Sequence, residues 1–202
     1  MAIMRSTIKK GGGSGSWLGV KTGTISGIID ESAKYDWADV YLVVEFKVAG
    51  AEYPRVMKIA GSYDKEPSGQ IKDCSLLKKI THFYDAIGEM GGPNHLGQWV
   101  NESEQPIDNI VQHLQQYMGT KLTIYVYKEL AKNGQAYTRV HNKVLAVSDK
   151  SEEELTSYIN FMKSKGFLKE APADMTNPAQ QVQMNGTGAT DFNAGGIDIA
   201  NL

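Results

Sequence analysis

The sequence predicts a mainly β domain with a few helices, an α+β chain, on three observations. Residues 40 to 48, VYLVVEFKV, alternate cleanly, with Val40, Leu42, Val44, Phe46 and Val48 on one side and Tyr41, Val43, Glu45 and Lys47 on the other. Residues 120 to 147 hold two β-rich runs joined at Asn133-Gly134, a pair that tolerates the positive φ of tight hairpin turns. Between these stretches, apolar residues recur at helical spacing.

Residues 1 to 16 are expected to form a flexible basic arm, with Arg5, Lys9 and Lys10 ahead of GGGSGS. The first strand follows in WLGVKTGTISGIID, where glycines at 19, 23 and 27 mark the bends or bulges by which a small barrel coils a strand. The loop ESAKYDWAD exposes Lys34, Tyr35 and Trp37 before the second strand at 40 to 48. A short Ala49-Gly50 turn leads into EYPRVMKIAGSY, a third strand with Pro54 at its start, where a missing N–H is tolerated. Here Tyr53, Arg55, Met57 and Ile59 share one face, and Val56 and Lys58 the other; the alternation leaves open which is buried. With Arg55 outward, it joins Tyr41 and Lys47 across the hairpin.

A helix is expected after Asp73, its N-cap, with Leu76, Ile80, Phe83 and Ile87 on one stripe and Gly88 closing it. The Gly-rich link that follows reads as a long loop that Trp99 pins to the body. A second helix is expected from Pro106, with Ile107, Ile110, Val111, Leu114 and Met118 on its apolar side. In the closing hairpin, Leu122, Ile124 and Val126 face the core. Lys121, Tyr125 and Tyr127 face outward, and Tyr137, Arg139, His141 and Lys143 continue that face on the return strand. Such a face can be a solvated sheet surface, or it can stack bases and attract phosphates. Ser151 and Glu154 have the spacing of a capping box and open a last helix bearing Leu155, Tyr158, Ile159 and Met162. Beyond Lys169 large apolar residues thin out, and the tail from 170 to 202 is expected to be disordered.

Three meandering strands, inserted helices, then a hairpin is the element order of an OB-fold five-stranded barrel, here spanning residues 17 to 169. That fold binds oligonucleotides on the face of strands 2 and 3 and with the loops after strands 1 and 4. The loops are residues 30 to 38, with Lys34, Tyr35 and Trp37, and 129 to 135, with Lys132. The expected nucleic-acid contacts are these four residues with Tyr41, Lys47, Tyr53, Arg55, Lys121, Tyr125, Tyr127, Tyr137, Arg139 and Lys143.

Charge sets a bound on this expectation. The net formal charge is −2, but every Lys and Arg lies at or before Lys169, leaving the body a surplus of two cations and the tail four uncompensated acids. Such a body supports a local basic patch, not a strongly basic binder. The single cysteine, Cys74, provides no disulfide framework and fits a reducing compartment. No stretch approaches the roughly 20 apolar residues that span a bilayer, so a soluble, cytoplasmic protein without membrane contact is expected. Signs of an enzyme are thin: the four histidines are far apart in sequence, no P-loop or nucleophile elbow is present, and neither metal nor cofactor is expected.

VYLVVEFKV, EYPRVMKIAGSY, the KLTIYVYKELAKNGQAYTRV hairpin and the terminal TDFNAGGIDIANL together resemble phage-encoded single-stranded DNA-binding proteins, OB-fold accessories of replication and recombination that end in an acidic, hydrophobic tip. The resemblance implies binding of single-stranded DNA in a host cytoplasm, without catalysis. It also implies recruitment of replication or recombination proteins through Asp191, Phe192, Ile197, Asp198, Ile199 and Leu202; self-association stays open. The rival reading is a non-catalytic β-barrel structural or adaptor protein whose aromatic face meets another protein.

Overall fold

In the computed structural model, residues 17–131 and 133–172 are described. The N-terminal arm, Lys132 and the tail from residue 173, including its six tip residues, lie outside them. The elements are β1 (Gly19–Asp30), a 3₁₀ turn (Ser32–Lys34), β2 (Val40–Val48), β3 (Arg55–Gly61) and α1 (Ser75–Ile87). There follow β4 (Gly92–Pro93), β5 (Trp99–Val100), α2 (Ile110–Leu114) with a 3₁₀ extension to Tyr117, β6 (Lys121–Leu130), β7 (Ala136–Val140), β8 (Leu145–Ala146) and α3 (Ser151–Ser164).

The fold is mixed α+β, built on an antiparallel sheet ordered β3-β2-β1-β6-β7, with β8 added to β6. The outer strands β3 and β7 approach each other, but no hydrogen-bonded ladder joins them, so the expected barrel is not closed. Strand β1 holds the sheet together because it pairs with β6 over its first half and with β2 over its second. A bulge between Ile25 and Gly27 shifts its register, so that Ile25 and Ile28, three residues apart, both enter the core. Gly23 sits at the crossing, where a Cβ would lie 2.5 Å from Ile124 Cδ1 and would push that side chain aside.

The inner face carries Leu42, Val44, Phe46, Met57, Ile59, Leu122, Ile124 and Val126, all buried. Helix α1 covers it with Leu76, Ile80, Phe83 and Ile87, as the spacing predicts, and ends at Gly88 in the left-handed region (φ +74°). Its N-cap is Cys74, not Asp73, and Cys74 is buried.

The link after α1 is not merely a loop. It contains the β4–β5 ribbon, held to α1 by Trp99 stacked on Tyr84 with ring centroids 5.8 Å apart. Glu89, at the foot of the ribbon, accepts from the Gly91 N–H at 2.7 Å, the His113 ring at 2.8 Å and the Tyr117 hydroxyl at 2.8 Å, tying α1, ribbon and α2 together. Those hydrogen bonds hold its carboxyl below the usual range although burial pulls the other way. Helix α2 starts at Asn109, whose side chain caps the Gln112 N–H; Pro106 instead bridges to Val100, and Met118 is exposed. Among the described residues, no helix is long and apolar enough to cross a membrane.

At the closing hairpin, Gly134 takes a positive φ (+76°) and donates to the Ala131 carbonyl, while Asn133 accepts from the Gln135 N–H. The capping box does not form. Ser151 lies inside α3, where its hydroxyl is bonded to Thr123 at 2.7 Å and to the Ser148 carbonyl at 2.9 Å. Nor does residue 170 begin a free tail: Glu170 bridges to Glu129, and the Ala171 N–H donates to the Lys128 carbonyl at 2.8 Å.

Candidate nucleic-acid interface

Two outer faces of the sheet were candidates, and the fold treats them differently. On the hairpin, the face that carries Tyr125 and Tyr127 is covered by α3. Tyr125 is buried with Leu155 and Ile159, and Val20, Tyr127, Leu145, Tyr158 and Leu168 pack around them as a second small core. The two tyrosine rings stack at 6.0 Å, and the Tyr125 hydroxyl is held between Lys163 and Glu170. Burial raises the pKa of both hydroxyls, Tyr127 to about 12. The hairpin is therefore packed against its own chain rather than open as a platform.

Arg139, Tyr137 and His141 are engaged as well. Arg139 lies 3.3 Å from Glu129 and over the Tyr137 ring, whose hydroxyl bonds to Gln135. His141 accepts from the Lys143 backbone N–H, and burial lowers its pKa to about 4. The exposed Lys121 sits opposite Thr24 at the start of β6, and Thr24 in turn sits opposite Lys47, so the register sets the two lysines in one row.

The outer face of β2 and β3 differs. Tyr41 projects from it, buried under Tyr35, whose ring stacks at 4.2 Å and 23°. Trp37 stands 6.0 Å from both rings with 59% of its surface exposed. The loop that presents them is built locally. Asp30 accepts from the Ser32 N–H and hydroxyl, the Ser32 hydroxyl accepts from the Tyr41 N–H, and Lys34 pairs with Glu31 at 2.7 Å. The Trp37 carbonyl accepts from the Ser62 hydroxyl, and Asp39 accepts from the Tyr63 N–H, which fastens the far end of the loop beyond β3.

Lys58 reaches over this cluster from β3, donating to the Tyr41 hydroxyl at 2.7 Å with its ammonium 5.3 Å from the ring centroid. Cross-strand register then places Ile29, Val43 and Lys58 in one row and Gly27, Glu45 and Val56 in the next, with the exposed Lys47 beyond. The result is a strip with stacked aromatic rings at one end, a half-apolar middle and a lysine at the other. Aromatic faces beside cations can hold bases and their phosphates.

Of the expected contacts, the fold brings together Lys34, Tyr35, Trp37 and Tyr41, and sets Lys47 on the same face. Tyr53, 56% exposed, lies in the β2–β3 turn beside Glu52, and that carboxylate holds its hydroxyl above the ordinary pKa. Arg55 does not face outward. It is on the interior parity with Met57 and Ile59, buried, with its guanidinium 3.9 Å from the Trp17 ring centroid, and desolvation lowers its pKa. Lys58 was missed, although the alternation with Met57 and Ile59 as core residues would have turned it outward.

Among the described residues, no three His, Cys, Asp or Glu residues stand together as metal ligands. An open cleft of about 490 Å³ lies between the end of β1, Trp99 and residues 107–111. No protein-family model matches the chain, and no curated protein matches it.

Proposed function

We propose that this chain binds single-stranded DNA, without catalysis, on the outer face of β2 and β3. The observation that carries the reading is the cluster in which exposed Trp37 and stacked Tyr35 and Tyr41 stand beside Lys58. Three meandering strands, the α1 insertion and a closing hairpin, with the first strand pairing with both the second and the fourth long strand, fit an OB-fold whose seam between β3 and β7 is open. In that fold the loop after the first strand and the face of strands 2 and 3 form the oligonucleotide groove, the position of this cluster. The near-neutral body favours affinity from stacking over affinity from charge. A role in phage replication or recombination, with the acidic tail recruiting partners, rests on the sequence resemblance alone.

Titrating a fluorescent mixed-sequence single strand at two salt concentrations, with a duplex of the same sequence as comparator, tests the reading. Saturable binding to the single strand with quenched tryptophan emission is expected, with a shallow salt dependence of about −0.7 in log K per neutralised phosphate. Absence of binding at low salt overturns it. The rival adaptor reading draws on Phe161 and Phe167, which leave 53% and 70% of their surface exposed at the end of α3.

A further inference from the structure

The middle of the β2–β3 face holds a group that does not suit a groove for a polyanion. Glu45 points outward from β2 between Gly27 on β1 and Val56 on β3. Its carboxylate lies across Gly27, where a Cβ would come within 2.6 Å of Oε2, so glycine at this bulge leaves the space the side chain occupies. No described residue gives it a hydrogen bond or an ion pair, although Lys47 is two positions away on the same strand and Lys58 is one row away. Lys58 is instead engaged by the Tyr41 hydroxyl.

A half-buried, unpartnered carboxylate repels phosphate, and it accepts hydrogen bonds without donating any. On the path of a single strand it is tolerated only where hydrogen-bond donors meet it, and on DNA those donors are on the bases. Splayed-out bases present their Watson–Crick edges. Guanine alone offers two adjacent donors there, N1–H and N2–H₂, matching two carboxylate oxygens. Cytosine and adenine offer one amino group beside a repelling ring nitrogen, and thymine one N–H flanked by carbonyls.

We propose that Glu45 is a specificity-determining residue that reads guanine on the bound strand, with both carboxylate oxygens accepting from N1–H and N2–H₂ of a base laid against the half-buried Val56. This rests on the single-strand reading above. Aromatic stacking at Tyr35 and Trp37 supplies sequence-tolerant affinity, and Glu45 supplies a preference on top of it.

The test compares alternating thymine–guanine, alternating thymine–inosine and all-thymine oligonucleotides of equal length, on the full chain and on Glu45→Gln. The wild-type chain is expected to favour thymine–guanine over all-thymine by roughly tenfold. Inosine, which lacks the N2 amino group, should lose most of that advantage. Glu45→Gln should bring the three affinities within about twofold and strengthen all-thymine binding by removing the charge. Equal wild-type affinity for the three strands overturns the proposal while leaving single-strand binding intact, as does a guanine preference that survives Glu45→Gln. Failure to bind any of the three overturns both readings. The comparison of strands on the wild-type chain needs no variant, so it holds even if Glu45→Gln folds poorly.

Discussion

Lys163 donates to the Tyr125 hydroxyl at 2.8 Å, and the same hydroxyl donates to Glu170 at 2.6 Å, while Lys163 and Glu170 pair at 2.9 Å. This triangle joins α3, β6 and the segment after α3 over the hairpin's outer face. Tyr125→Phe removes the hydroxyl and leaves the ring, so it should cost about 1–2 kcal/mol of stability, the value of hydrogen bonds to charged groups discounted for partial exposure. Urea denaturation measures that loss. Oligonucleotide affinity should not change; a drop of tenfold or more would return the hairpin to the binding site.

Trp37 and Tyr35 give the complementary result. Trp37 is exposed and Tyr35 packs on Tyr41 from outside, so neither fills the core. Trp37→Ala and Tyr35→Ala should each weaken single-strand affinity by about 1–3 kcal/mol. The melting temperature should stay within a degree or two of the parent, by the usual smallness of surface substitutions. Tyr41 is a poorer probe, because it is buried and its loss would disturb β2 as well.

A third expectation concerns pH. His141 is packed among Tyr127, Tyr158 and His82, and burial, aided by His82, lowers its pKa to about 4. Burial and then Lys143 also lower that of His82, against the opposing pull of Asp85. Both rings are thus kept neutral in the fold and take up protons near pH 6.5 once unfolded. The unfolded chain binds more protons between the two values. The His141 contribution should therefore be complete above about pH 6.5 and be lost by about pH 4, on the order of 3 kcal/mol, with the low-lying Glu89 carboxyl extending the loss at more acidic pH. Denaturation midpoints across that range measure the slope, and His141→Phe, which keeps an aromatic ring against its neighbours, should flatten it.

Much of the framework is legible in local pattern. The alternation of β2, the stripe of α1 with its Gly88 stop, and the hairpin at Gly134 are written in short-range spacing, because each depends on neighbours two to four residues away. The aromatic loop after β1 was legible too, since Tyr35 and Trp37 lie between two strand patterns. Three features depend on contacts between distant segments. Tyr125 and Tyr127 have the alternation of an exposed face, yet α3 lies over them; periodicity separates two faces of a strand without saying what covers either. Arg55 has the chemistry of a surface cation, but Trp17, far off in sequence, provides a ring for its guanidinium to rest on. Glu45 acquires its character only where the bulge in β1 brings Gly27 beneath it. Spacing along the chain assigns a residue to a face; burial and charge pairing come from whichever segment packs there, and that follows from the energetics of the whole assembly.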